Sequence, residues 1–99
     1  MQMVADQIRN FLQYIAVSFI EHPDRAQLKV SEVGPRKLRF KLILDKPDVA
    51  LLIGRAGFSA SAIRSVLKAV AERENIEIAL QIHSHEEEEE AMAREARER

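Results

Sequence analysis

The run LLIGRAGFSASAIRSVL, Leu51 to Leu67, reads as one long helix but for two glycines three positions apart, Gly54 and Gly57. A glycine inside a helix costs about 1 kcal/mol relative to alanine, so two of them mark a break. The run therefore divides into a short helix, a two-residue turn at Arg55-Ala56, and a longer helix. Gly54 is expected to close the first helix in a left-handed conformation, and Gly57 to let the chain enter the second closely. Such a turn leaves the main chain bare. The free N–H groups at the start of the second helix, aided by its dipole, favour an anion such as phosphate. Arg55 adds a positive charge there. Leu52, Ile53, Ala60 and Ile63 are apolar, so a shallow greasy groove is expected beside the turn. An apolar groove next to a phosphate-binding turn suits a single nucleic-acid strand.

The rest of the chain supplies the frame. From Val4 to Ile20, residues Val4, Ile8, Phe11, Leu12, Ile15, Phe19 and Ile20 recur at helical spacing. His22-Pro23-Asp24 ends that helix, because the residue before proline avoids helical geometry. Ala26 to Val33 reads as a strand and Gly34-Pro35 as a turn. Lys37 to Asp45 alternates, with Leu38, Phe40, Leu42 and Leu44 on one side and Lys37, Arg39, Lys41 and Ile43 on the other. Pro47 and Asp48 suit the start of a helix reaching about Ile53. The helix after Gly57 runs to about Glu74, with Ile63, Val66, Leu67 and Val70 on its apolar stripe. Ile76, Ile78, Leu80 and Ile82 alternate as a third strand. The order α-β-β-α-α-β implies a two-layer α+β domain, a three-stranded sheet covered by helices on one face.

Ninety-nine residues suffice for one modest core, and 46% hydrophobic with 31% charged residues is ordinary for a globular chain. No apolar run approaches the roughly 18 residues that cross a bilayer, and the N-terminus carries no export pattern. The absence of cysteine excludes disulfides and thiolate metal sites and fits a cytoplasmic location. The net charge of −1 hides an asymmetry: Glu86 to Arg99 holds seven glutamates and three arginines, whereas the remainder is mildly basic. The chain thus divides into a domain over 1–83 and a charged tail over 84–99, helical or disordered. Glu90/Arg94 and Glu95/Arg99 are spaced to support a helix. An acidic tail of this kind is expected to compete with a nucleic-acid strand for basic positions. His83 and His85 precede the glutamates; ordinary exposed histidines are expected there rather than a metal site.

The segments IGRAG, with Ala60, Ala62, Ile63, Arg64 and Val66 after it, HPD after the first helix, PDVALLIGRAG and AIRSVLKA resemble the small stand-alone KH proteins of bacteria, the KhpA-like family. The likeness covers about Val4 to Ile82 and includes the GXXG motif of the type II KH domain. It implies non-catalytic RNA binding, with the GXXG turn clamping the backbone of about four nucleotides. Carried onto this chain, it implies that Gly54, Arg55, Ala56 and Gly57 hold phosphates, that Ile53 shapes the groove, and that Arg64 reaches toward backbone or base. Ser61 and Lys68 share the helix face of Arg64 and are candidates for the same contact. It also implies a homodimer or a heterodimer with a larger KH-containing protein, no cofactor, and a regulatory or RNA chaperone-like role. Phe58, Ser61 and Glu77 depart from the family pattern, standing where basic residues are common. Each missing cation removes part of the counterion release that drives backbone binding. Phe58 either stacks a base or, the preferred reading, packs on a helix or a partner. The row Lys37, Arg39 and Lys41, with Arg36 ahead of it, reads as a solvated sheet face or a guarded edge strand rather than a second RNA surface. No nucleophile with its base and no acid–base pair stands out, and the turn lacks the Lys-Ser/Thr of a nucleotide-triphosphate loop. The alternative to RNA binding is a protein-interaction module that uses the same fold for dimerisation.

Overall fold

Helix α1, Gln2–Phe19, buries Ala5, Ile8, Leu12 and Ala16, one residue per turn, against a three-stranded sheet. The computed structural model describes residues 1–55 and 57–98, with side chains described outside 54–59. After α1 the chain is extended at Ile20 and makes a 3₁₀ turn over Pro23–Arg25. The strands are β1 Gln27–Gly34, β2 Lys37–Leu44 and β3 Glu77–Ser84, in spatial order β1-β2-β3. β1 runs antiparallel to β2, and β2 runs parallel to β3. The parallel pair needs a crossover, which is made by α2 Lys46–Ala50, a π-helical turn Leu51–Arg55 and α3 Gly57–Glu74.

Pleating sorts the side chains. Leu38, Phe40, Leu42 and Leu44 of β2 are buried, flanked on the same face by Leu28 and Val30 of β1 and Ile78, Leu80 and Ile82 of β3. Helix α1 and the Ile63 and Leu67 positions of α3 close this core. Val66, expected on the same stripe, is largely exposed, because it points toward the seam between α1 and α3 rather than the sheet.

Two expectations need correction. Helices do not cover only one face. Helix α4, His85–Glu98, folds back against the opposite face, so Ile43 is 1% exposed although it sits on the outward row. A reciprocal cap starts α4: the Ser84 hydroxyl accepts the Glu87 N–H at 3.2 Å, and the Glu87 carboxylate accepts the Ser84 N–H at 3.0 Å. The Ser84-x-x-Glu87 spacing is the sequence signal for this cap. The basic row also guards no edge, since β2 is the central strand.

Arg36 leaves that row for a structural task. It sits at φ 61° in the β1–β2 turn and donates from Nε to the Asn75 carbonyl at 2.7 Å and from Nη2 to the Glu74 carbonyl at 2.8 Å. Asn75, at φ 54°, ends α3 in the left-handed conformation. A guanidinium on the last carbonyls of α3 complements its dipole and fixes that helix beside β3.

Candidate nucleic-acid interface

The turn of interest is held in place from below. Asp48, fully buried in α2, accepts the backbone N–H groups of Glu21 and His22, each at 2.9 Å, and lies 3.5 Å from His22 Nδ1. The chain leaving α1 is thereby clipped to α2, six residues before Gly54. Leu52 plugs the core beneath the π turn, while Ile53 beside it is exposed. The chain enters α3 at Gly57. The expected left-handed closure at Gly54 is replaced by the π turn, which runs through Gly54 to Arg55; the placement of Ala56 and the side-chain surroundings of Arg55 and Phe58 lie outside the described residues.

Along α3 the arrangement is explicit. Ala60 and Ile63 are buried and support the helix from the core side. Arg64 and Lys68, one turn apart, line a groove with Leu67 and Ala71 of α3 and Ile78 and Leu80 of β3. β3 is an edge strand, so its outer backbone groups have no strand partner. One of them is used: Arg64 Nη1 donates to the Leu80 carbonyl at 2.9 Å. That contact places a guanidinium on the groove rim and leaves four of its five N–H groups available. Ser61 is exposed on α3 but does not line the groove. The structure thus gathers Arg64 and Lys68 at an apolar floor. Its chemistry suits an anionic chain with flat apolar groups: cations on the rim, Leu67, Ile78 and Leu80 below.

The opposite face of the sheet carries a second concentration of charge. Glu88 of α4 is buried, with Oε2 3.1 Å from Lys29 Nζ and Oε1 3.4 Å from both Lys41 Nζ and His83 Nε2. Burial alone would push its carboxyl up, but the hydrogen-bonded Lys29 and Lys41 hold it below the ordinary glutamate value. The backbone hydrogen bond from Ser84 holds Glu87 low as well. His85 turns away from His83, its Nε2 lying 2.7 Å from the Arg25 carbonyl, so the two rings do not converge on one point. Among the described residues no cluster of His, Asp and Glu is arranged to hold a metal, and no helix is long and apolar enough to cross a membrane.

Comparison with known proteins adds to this geometry. The family model described as KhpA/KhpB, KH domain matches residues 9–82, which includes β1, β2, β3 as far as Ile82 and the groove, and stops short of α4. The RNA-binding protein KhpA of Chlamydia caviae is 32% identical over 75 residues, 76% of this chain and 95% of the relative. The KhpA of Clostridium acetobutylicum is 37% identical over 76 residues, covering 76% and 99%. The KhpA of Streptococcus pneumoniae serotype 4 is 37% identical over 65 residues, covering 66% and 81%. No solved structure matches the chain.

Proposed function

This chain belongs to the KhpA/KhpB family of KH domains, which are not enzymes, and from that premise we propose that it binds single-stranded RNA in the groove between α3 and the free edge of β3. The observation that carries the proposal is the pairing of Arg64 and Lys68 on the rim with Leu67, Ile78 and Leu80 on the floor. Phosphates would be held at Gly54, Arg55, Ala56 and Gly57, with about four nucleotides spanning the turn and the groove. Ile53 and Phe58 would meet the bases nearest the turn, and Ser61 the backbone as it passes. The element order and the parallel β2–β3 pair support a type II KH arrangement over 1–83, with 84–99 as an appendage. A cytoplasmic regulator or RNA chaperone-like role follows from that reading.

The test is the double substitution Arg55→Asp with Ala56→Asp. Two carboxylates at the turn repel phosphate without entering the core. Fluorescence anisotropy with a labelled single-stranded RNA should lose most of its binding, and a full-strength signal would refute the groove.

A second reading rests on the other edge of the sheet. Tyr14 and Val17 of α1 are 72% and 64% exposed, and Val17 lines an apolar groove with Ala16, Ile20 and Leu28 of the free strand β1. This edge suits a second copy or a larger KH-containing partner. It lies across the sheet from the RNA groove, so the two uses are compatible. Val17→Glu should lower the sedimentation coefficient if this edge self-associates.

A further inference from the structure

Because β2 is central, its outward row runs down the middle of the sheet's second face. Lys29 stands opposite Lys41 in register, and Arg39 stands between Ser31 and Ala79, two small residues that leave it open. Successive outward residues on a strand are about 6.8 Å apart, so Lys37, which is ion-paired with Glu77 at 3.6 Å, Arg39 and Lys41 form an evenly spaced line of cations. The Lys29–Lys41 pair is occupied by an anion, the buried Glu88 carboxylate, with one oxygen near each ammonium group. Arg39, one step along the same row, is exposed and has no ion-pair partner among the described residues.

We infer that this face is a second phosphate-binding surface for the RNA backbone, with Arg39 its open contact and the Lys29–Lys41 pair a seat that Glu88 holds closed. The inference rests on the proposed RNA ligand. The two surfaces are continuous. Leu80 lies in the groove and the adjoining Ala79 faces outward, so a strand crossing the single edge strand β3 reaches Arg39 directly. The face around Arg39 is polar and bordered by small side chains, which suits a sugar–phosphate chain better than an apolar protein surface. Glu88 belongs to α4, beyond the part of the chain that the family match covers, so closure of the seat is a property this chain adds to the shared domain.

The test uses the full-length chain and a labelled single-stranded RNA of about 16 nucleotides, long enough to leave the groove. Glu88→Gln keeps the shape and removes the charge. It should tighten binding, and freeing two lysines should steepen the dependence of log K on log salt by about 1.4, at roughly 0.7 per backbone contact. Between 50 and 200 mM salt that is about a sevenfold larger loss of affinity than in the parent chain. Arg39→Glu should weaken binding, and Glu95→Gln, on the exposed last turns of α4, should leave it unchanged. Equal tightening by Glu88→Gln and Glu95→Gln would reduce the effect to general repulsion and overturn the seat. Unchanged affinity and slope in Glu88→Gln and Arg39→Glu, with binding still abolished by the Arg55→Asp/Ala56→Asp pair, would overturn this surface and leave the groove standing. No RNA binding by any form would overturn both. A measurement on the parent protein guards against misfolded variants: RNA should speed amide exchange in α4, and unchanged exchange on a bound complex refutes displacement of Glu88.

Discussion

Arg64 donates a hydrogen bond from Nη1 to the carbonyl of Leu80, 2.9 Å away, and so ties α3 to the outer edge of β3. One side chain thereby serves two walls of the groove. Arg64→Ala should cost about tenfold in RNA affinity, the loss of one charge-assisted contact, with a smaller fall in melting temperature. Arg64→Lys should recover only part of the affinity, because an ammonium lacks the fork that reaches the carbonyl and a phosphate together. Anisotropy titrations beside thermal melts separate the two roles. Full affinity in the alanine variant would reduce Arg64 to a structural strap.

Asp48 is the strongest fixed point beneath the glycine turn. Asp48→Ala leaves two backbone N–H groups, of Glu21 and His22, without their acceptor. Urea unfolding should show about 2–4 kcal/mol of destabilisation. Asp48→Asn keeps one acceptor oxygen and should fall between the two.

Arg36 combines an unfavourable backbone with favourable side-chain contacts. Its left-handed φ costs about 1 kcal/mol in any residue but glycine. Arg36→Ala keeps that cost and loses both hydrogen bonds to the end of α3, whereas Arg36→Gly loses the bonds and relieves the backbone. Glycine should therefore be the more stable of the two by about 1 kcal/mol, measured by denaturant midpoint. The reverse order would show that the left-handed backbone at this position carries no strain.

The attachment of α4 should weaken in acid. Glu87 and Glu88 both titrate below the ordinary glutamate value of 4.5 in the folded chain. Groups with lowered values stabilise the docked helix fully above the unfolded value, and that contribution disappears as pH falls through the folded one. Amide exchange at α4 should be slow and level from neutral pH down to about 5, after correction for intrinsic rates. It should then accelerate below about 4. Glu88→Gln should flatten that transition.

Much of the frame was legible from periodicity. Leu38, Phe40, Leu42 and Leu44 alternate because one face of β2 meets α1, and the positions buried on α1 and α3 recur at helical spacing. Ile43 broke the pattern for a reason no local rule contains: a helix 40 residues later covers the outward face. The strand order was not legible either. Whether Lys37, Arg39 and Lys41 line an edge or the centre depends on where β3 pairs, and alternation alone does not say. The start of α4 was readable in Ser84 and Glu87, yet nothing local singles out one of five consecutive glutamates as a carboxylate buried between two lysines. In the groove, the charges of Arg64 and Lys68 were visible in the sequence, but the carbonyl that orients Arg64 belongs to β3 and emerges only from the tertiary arrangement.

The crossover between β2 and β3 has a consequence during synthesis. The groove's second wall is the last strand of the domain, and it pairs only with a strand made more than thirty residues before it. A polypeptide still emerging from the ribosome has its glycine turn and its α3 cations before it has the strand that completes the proposed groove. With RNA seated in the proposed groove, recognition would wait until translation has passed Ser84, and a prematurely ended product would carry the motif without the proposed place to lay a ligand.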